Sequence, residues 1–440
     1  MPYLIYARSA CDNLRIGSKD DTTDMNQTLK VAVIGGSISG CTVAAELVRA
    51  GWDVMVFERS AGNLEDRGAG IGMPWSLINT MKQRDLVDRD MAYVPVTERH
   101  FVVRSDKDDD GRIIWKQPMA LAATNWDVLY RNIRSRVPNE VYHKGSFVKE
   151  LIDMGERGVK LCFDSGKSLA FDLAICADGY RSIGRNTLYP ERQTQYSGYV
   201  LWRGLLEEKY VTDLSRFDGL FTYVVTKSGH CVLYVVPGSK NEIEAGKRRL
   251  NWAWYENVPS QNIPVIFGNR RSSVGAASLP PGAVSERQKV RLFKRAKRLL
   301  PGFVSDVICG TNKLLMQGIF DVQVPSYQKG RICLIGDAAA VARPHVVGGA
   351  VKAITNSITL VGALSASKCT EFGLVELGVW DREQCAEGTR LVLLGQIMGD
   401  ALQSEDMSWD DMSESDMQAW WENVIRMDSW YVVDDASEAN

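Results

Sequence analysis

The chain has 440 residues, enough for a large core and two or three structural units. Hydrophobic residues make up 45% and charged residues 24%, the balance of a globular protein, and a net charge of −2 gives no electrostatic reason to expect nucleic acid or an anionic membrane as a partner. Nine cysteines stand singly without a C-x-x-C pair and four histidines lie far apart, so neither a disulfide framework nor a zinc-type ligand set is expected.

No apolar run approaches the roughly 18 residues that span a bilayer, and Met1–Asn26 lacks the apolar centre of a signal peptide. The expectation is a cytoplasmic protein with reduced thiols, beginning with a flexible extension over residues 1–29.

The first ordered unit reads as a βαβ start. Lys30–Ile34 is an apolar strand, followed by a glycine-rich turn, a helix to Ala50 stopped by Gly51, and a second strand at Val54–Phe57. Helical periodicity returns at Trp75–Leu86, and Asp106–Gly111 reads as an exposed turn. Asn125–Val137 reads as a helix stopped by Pro138. Short strands follow at Val141–Lys144, Val159–Phe163 and Leu173–Ala177. Thr194–Phe267 is β-rich and aromatic, Val284–Leu300 is a basic helix, Ile332–Ile335 is a strand, and Ala350–Leu364 is a small-residue helix. The acidic tail from Ser404, with Trp409, Trp420, Trp421 and Trp430, reads as a surface helix and a frayed end. There is no internal repeat. The pattern predicts an α/β fold: a nucleotide-binding layer interrupted by an inserted mixed-sheet α+β unit.

Gly35, Gly36, Ser37, Ile38, Ser39 and Gly40 lie between the first strand and the first helix, as a dinucleotide site requires. Gly35 allows the tight turn and Gly40 close helix–strand packing, while the helix N-terminus offers N–H groups to a pyrophosphate. Ser37 replaces the usual middle glycine. Glu58, at 58 − 35 = 23 residues after Gly35, ends the second strand, where a carboxylate accepts from ribose hydroxyls and repels a 2′-phosphate. The nucleotide is then the ADP half of FAD or NAD. Two further apolar strands deliver an Asp and glycines into a turn: one at Asp178, Gly179 and Arg181, the other at Gly336 and Asp337 followed by Arg343, Pro344, His345, Gly348, Gly349 and Ala350.

The three motifs in this order resemble the class A flavoprotein monooxygenases, the family of para-hydroxybenzoate hydroxylase, over about residues 30 to 365. Gly198–Leu205, Asn251–Val258, Arg343–His345 and Lys352-Ala353 resemble its 2,6-dihydroxypyridine 3-hydroxylase branch. The resemblance implies a Rossmann-like FAD-binding domain over 30–190 and 290–365, a substrate-binding sheet insert at 191–289 and a C-terminal helical segment from 366 to 440. It implies bound FAD, transient NADH or NADPH, O2 and a small aromatic substrate, with no nucleic acid or membrane partner, in a monomer or homodimer. Residues 35–40, Glu58 and Arg59 would hold the ADP half of FAD. Gly70 and Ile71, Asp178, Gly179 and Arg181, Gly336 and Asp337, and Pro344, His345, Gly348, Gly349 and Ala350 would serve the rest. A helix N-terminus near the isoalloxazine would stabilise its anionic reduced form. The reaction implied is hydroxylation of an electron-rich ring through a flavin C4a-hydroperoxide.

The sequence departs from the family in three places. The Arg that usually opens the helix near 126 is Trp126, so Arg131 is expected to take over its contact; Ala340 replaces a His and Asn356 an acid. The pocket is expected between the inserted sheet and the flavin, lined by Trp202, Arg203, Tyr234, Trp254 and Tyr255. Arg203 is the candidate partner of a substrate oxyanion, His230 the candidate proton relay, and Tyr234 a third candidate catalytic residue. A flavin halogenase is disfavoured because Trp252–Asn257 does not match its W-x-W-x-I-P element. An epoxidase, a decarboxylating hydroxylase and a non-catalytic FAD-binding protein stay open.

Overall fold

The computed structural model describes residues 29–62, 64, 69–105, 110–267, 278–366 and 374–424. The expected extension before residue 29, most of the turn at 106–111 and the chain end after 424 lie outside the described residues. The elements in chain order are β1 (Lys30–Ile34), α1 (Ile38–Arg49), β2 (Asp53–Glu58), β3 (Gly70–Met73), α2 (Trp75–Gln83), β4 (Val94–Val103), β5 (Arg112–Asn125) and α3 (Trp126–Arg134). Next come β6 (Tyr142–Lys144), β7 (Val148–Asp153), β8 (Val159–Phe163), β9 (Ser168–Phe171), β10 (Leu173–Cys176), α4 (Ile183–Leu188) and β11 (Gln195–Glu207). They continue through β12 (Leu220–Thr226), β13 (Gly229–Val236), β14 (Arg249–Asn257), α5 (Ile263–Phe267), β15 (Ser278–Leu279), α6 (Glu286–Leu299), α7 (Gly302–Gly310) and β16 (Leu314–Gln323). The last are β17 (Gln328–Lys329), β18 (Ile332–Leu334), β19 (Ala340–Val341), α8 (Gly349–Ala366), α9 (Leu374–Gln403) and α10 (Glu414–Val424).

The α/β class is as expected. One sheet runs β17-β18-β10-β1-β2-β6, with parallel pairing from β18 through β6 and an antiparallel edge at β17. Its central strands are apolar on both faces because both are covered, one by α1 and the other by the three-stranded sheet β7-β8-β9, whose Phe163 and Phe171 meet Phe57. Helix α1 packs against α8 and α3, and small residues allow the α1–α8 approach: Ser357 Oγ donates to the Ser39 carbonyl at 3.1 Å. A three-stranded sheet, β7-β8-β9, sits between β6 and β10 in the chain.

A larger sheet runs β15-β16-β11-β14-β13-β12-β4-β5-β3. This sheet draws strands from well outside 191–289. Strands β3, β4 and β5, expected within the nucleotide-binding part, pair here because β12 lies parallel to β4, and β16 joins on the other side of β11. One face carries Trp202, Trp252 and Trp254 and packs under α6 and α7 through Leu292, Ala296, Val304 and Ile308. The opposite face carries Phe101, Tyr223, Tyr234 and Tyr255 and meets Leu391, Leu394 and Met398 of α9 and Met417 and Trp421 of α10. The tail helix is therefore not a surface helix alone: Trp409 and Trp421 are buried against the sheet, since two large indoles stabilise more by burial than by exposure. No helix among the described residues is long and apolar enough to cross a membrane.

Candidate active site

Strands β1, β10 and β18 are neighbours in register, so their carboxyl ends, and the three motifs that follow them, emerge side by side. Ala177 N donates to the Ile34 carbonyl at 2.7 Å and Ile335 N to the Cys176 carbonyl at 3.0 Å, which ties the three strand ends together. An open sheet binds ligands beyond such ends.

The first turn is built for close approach. Gly35 has φ +98°, and a Cβ there would lie 2.4 Å from the Ala177 carbonyl oxygen; at Gly40 it would lie 1.8 Å from the Gly35 oxygen. Glu58 is buried and accepts from Gly36 N and Ser60 N, each at 2.8 Å. Tyr142, which sequence reasoning missed, donates its hydroxyl to the Gly36 carbonyl at 2.8 Å. Gly36, Gly40 and Glu58 thus shape the turn from beneath, while Ser37, Ile38 and Ser39 line the cleft above it. The Ser39 hydroxyl is buried without a partner among the described residues, next to the N–H groups that open α1.

The second and third motifs close the same end of the cleft. Gly179 (φ +78°) lines it with open space where a side chain would be, and so does Gly349. Asp178 accepts from Ile183 N at 2.6 Å through one carboxylate oxygen and leaves the other buried without a partner; burial raises its pKa, against hydrogen bonds from Ser182 and Ile183. Asp337 lines the cleft and pairs with Lys352 Nζ at 3.5 Å. Lys352, buried in the first turn of α8, also donates to the Gly336 carbonyl at 3.0 Å and to the Ala340 carbonyl. Asn356 Oδ1 accepts from Gly336 N at 3.0 Å. Pro344, His345 and Ala350 line the cleft, whereas Gly348 sits beside Leu391.

Among the expected cofactor contacts, Gly35, Gly36, Gly40, Glu58, Asp178, Gly336 and Gly348 lie behind the cleft lining, and the three arginines lie away from it. Arg59 is exposed, Arg181 is exposed over the Tyr180 ring, and Arg131 is exposed and donates to Asn241 Oδ1 at 3.2 Å. The cleft-lining side chain of α3 is Trp126, stacked on Tyr130 at 4.9 Å, because the first residue of the helix faces β3 while Arg131 lies on another face.

The cleft, about 520 Å³, continues onto the aromatic face of the large sheet, where Arg203, His230, Tyr234 and Tyr255 line it. Trp202 and Trp254 do not. Strand alternation decides this: Leu201 pairs with Tyr255 and Arg203 with Ala253 on the cleft face, so the Trp202–Trp254 pair faces α6 and α7. Trp202 Nε1 donates there to Glu256 at 2.8 Å. Gly70 links the two ends of the cleft: Asn251 Oδ1 accepts from its N–H at 2.8 Å, and Arg203 Nη2 donates to its carbonyl at 3.3 Å.

His230 and His345 belong to one stack. His230 lies 4.3 Å from Tyr255 and 5.1 Å from His345, and Tyr255 lies 4.5 Å from His345. Both histidines are buried; desolvation lowers the pKa of His230 to about 3 and that of His345 well below the ordinary value. Neither ring nitrogen of His345 has a partner among the described residues. Phe221, Tyr223 and Gln317 also line the cleft and were missed; the alternation that puts Tyr234 inward would have found Tyr223 once the strand pairing was known.

The donor set fits FAD: an unpartnered Ser39 hydroxyl at a helix N-terminus, glycines with open space at 179 and 349, and a carboxylate at the end of β2. The family model "FAD binding domain-like" matches residues 196–321. The chain is 29% identical over 364 residues to 2,6-dihydroxypyridine 3-monooxygenase of Paenarthrobacter nicotinovorans, covering 82% of this chain and 88% of that protein. It is 27% identical over 353 residues to 3-amino-4-hydroxybenzoate 2-monooxygenase of Streptomyces cremeus, covering 78% and 80%. The solved structure of 2,6-dihydroxypyridine-3-hydroxylase from Arthrobacter nicotinovorans superposes with a TM-score of 0.78 at 28% identity, covering 86% of this chain and 93% of that one. With three strand-end turns around one cleft and these likenesses to hydroxylases over most of its length, the chain is an FAD-dependent monooxygenase similar to the class A flavoprotein monooxygenases, with the fold of para-hydroxybenzoate hydroxylase.

Proposed function

We propose that this enzyme uses NADH or NADPH and O2 to hydroxylate a small electron-rich aromatic or heteroaromatic ring. One observation carries the reading: a single cleft is lined at one end by the strand-end turns, through Ser37, Gly179, Asp337 and Gly349, and at the other by Arg203, His230, Tyr234 and Tyr255. Ser37–Ser39 and the N–H groups of α1 would hold the pyrophosphate, with Glu58 at the ribose. Gly179, Asp337 and Pro344–Ala350 would lie along the remainder, and Lys352 would keep the Gly336–Ala340 turn in shape. FAD, when bound, supplies hydride acceptance and oxygen activation. The protein's part is to bind and orient the ring, exclude water and manage protons.

The aromatic wall suits a flat ring: Phe221, Tyr223, Tyr234 and Tyr255 supply apolar area with little entropy to lose. Arg203 would face an oxyanion or carbonyl of the substrate, and its half-buried position strengthens that interaction. His230 would meet a ring hydroxyl or N–H. The likeness to a dihydroxypyridine hydroxylase supports hydroxylated pyridines as the first substrates to try.

The test is a panel of hydroxylated pyridines and benzoates added to the purified yellow protein, with NADH or NADPH oxidation, oxygen uptake and product mass followed together. Coupled oxidation and a product heavier by one oxygen on the ring are expected. A ring epoxide or loss of CO2 would redirect the reading to epoxidation or decarboxylating hydroxylation, and oxidation indifferent to every ring would overturn it.

A further inference from the structure

We propose that Asn257 and Gln403 lock His230 in the tautomer protonated on Nδ1, leaving Nε2 as a hydrogen-bond acceptor for an O–H or N–H of the ring substrate. The assignment runs outward from one backbone carbonyl. Asn257 Nδ2 lies 3.0 Å from the Gln403 carbonyl oxygen, which can only accept, so the amide nitrogen must face it. Asn257 Oδ1 then faces the Gln403 side chain and accepts from its Nε2 at 2.8 Å. That leaves Gln403 Oε1 toward His230 Nδ1 at 2.9 Å. Two acceptors make no hydrogen bond, so Nδ1 carries the proton and the neutral ring has its lone pair on Nε2.

The surroundings hold this state. Asn257 ends β14 and Gln403 ends α9, so the lock joins sheet to helix. His230 stacks on Tyr255 at 14° between ring planes and on Tyr223 at 16°, which opposes a ring flip that would put Cδ2 in place of Nδ1 and Cε1 in place of Nε2. Burial keeps the ring neutral. His230 lines the cleft, and its buried Nε2 has no partner among the described residues. A buried acceptor without a donor is a site that a ligand donor fills. Such a site favours a ring with a hydroxyl or N–H over the same ring methylated there. Gln403 and Asn257 are positioning residues, and the choice of ligand class rests on the proposed ring hydroxylation.

The tautomer is read directly on FAD-loaded full-length protein carrying 15N-histidine. Long-range proton–nitrogen correlation distinguishes protonated from bare ring nitrogens, and the chain has only four histidines. His230 is assigned from His230→Gln or by elimination from replacements at His100, His143 and His345. Wild type is expected to show Nδ1–H at His230. Gln403→Glu, which keeps an acceptor, should retain it, and Gln403→Leu should let the Nε2–H form appear. An Nε2–H form in the wild type overturns the lock, and this measurement stands even if a variant fails to fold. For the ligand, binding of 2,6-dihydroxypyridine and 2,6-dimethoxypyridine is compared by calorimetry. The dihydroxy ring is expected to bind at least about tenfold tighter. That ratio should persist in Gln403→Glu and shrink in Gln403→Leu, which simple steric exclusion would not produce. Equal binding, or binding of neither ring, overturns the ligand half. Failure of the proposed reaction would appear separately, as tight ring binding without oxygen uptake.

Discussion

Single side chains here work mostly through what they exclude. Gly40 has no room for a methyl group, so Gly40→Ala must push α1 off the Gly35 carbonyl. The expected cost is about 1–3 kcal/mol of stability together with loss of bound FAD. Denaturant unfolding and the flavin-to-protein absorbance ratio would show it, and a variant that stays fully yellow and stable would refute the packing account. The buried histidines set a pH dependence. His230 is neutral when folded, with its pKa held near 3, but titrates near its ordinary value when unfolded. Below about pH 6.5 the unfolded chain therefore binds the extra proton, and stability falls as pH falls toward 3, by up to roughly 1.4 kcal/mol per pH unit for that group. His230→Gln should flatten this acid limb in a stability–pH profile; an unchanged slope would mean that the ring is solvated.

At the scale of elements, alternation along β11 and β14 divides one aromatic run into two jobs. Trp254 serves the core under α6 and α7, and Tyr255, next in sequence, serves the cleft. Trp254→Ala should cost about 3–5 kcal/mol in unfolding free energy. Tyr255→Phe should leave stability nearly unchanged and alter ring binding. Reversal of these two outcomes in unfolding and calorimetry would mean that the strand register is wrong. Lys352 plays a comparable part for the third motif, since α8 carries it into the loop whose carbonyls it holds. Lys352→Met should weaken FAD retention at least about tenfold, read by ultrafiltration of the holoprotein. Retention at the wild-type level would make the lysine dispensable to the turn.

Across the whole molecule, the cleft lies where two sheets meet, and Gly70, Asn251 and Arg203 tie its ends together. A ligand held there bridges both sheets and stabilises them jointly. FAD at a hundred times its dissociation constant should raise unfolding free energy by about 2.7 kcal/mol. Tryptophan and flavin signals should report one shared transition, because tryptophans sit on both sides of the large sheet. Two separated transitions would show that the sheets unfold independently and that the bridge is weak.

Local sequence determined the parts whose causes are local. The β1–α1 turn could be read from Gly35 and Gly40, since positive φ and close packing demand glycine, and the three strand ends could be read from apolar runs ending in Asp and Gly. Arg203, His230 and Tyr234 were found as polar or amphipathic residues in an aromatic, β-rich stretch. Only tertiary structure decided the rest. Which of Trp254 and Tyr255 faces the cleft depends on pairing with β11, and β3–β5 join the large sheet through a parallel pairing to β12 more than a hundred residues away. Arg131 was misassigned because its direction is set by the helix it stands on, not by its charge. The tautomer of His230 depends on Gln403, 173 residues distant. Hydrogen bonds and strand register between remote segments leave no periodicity in the chain, so they become visible only when folding has brought those segments together.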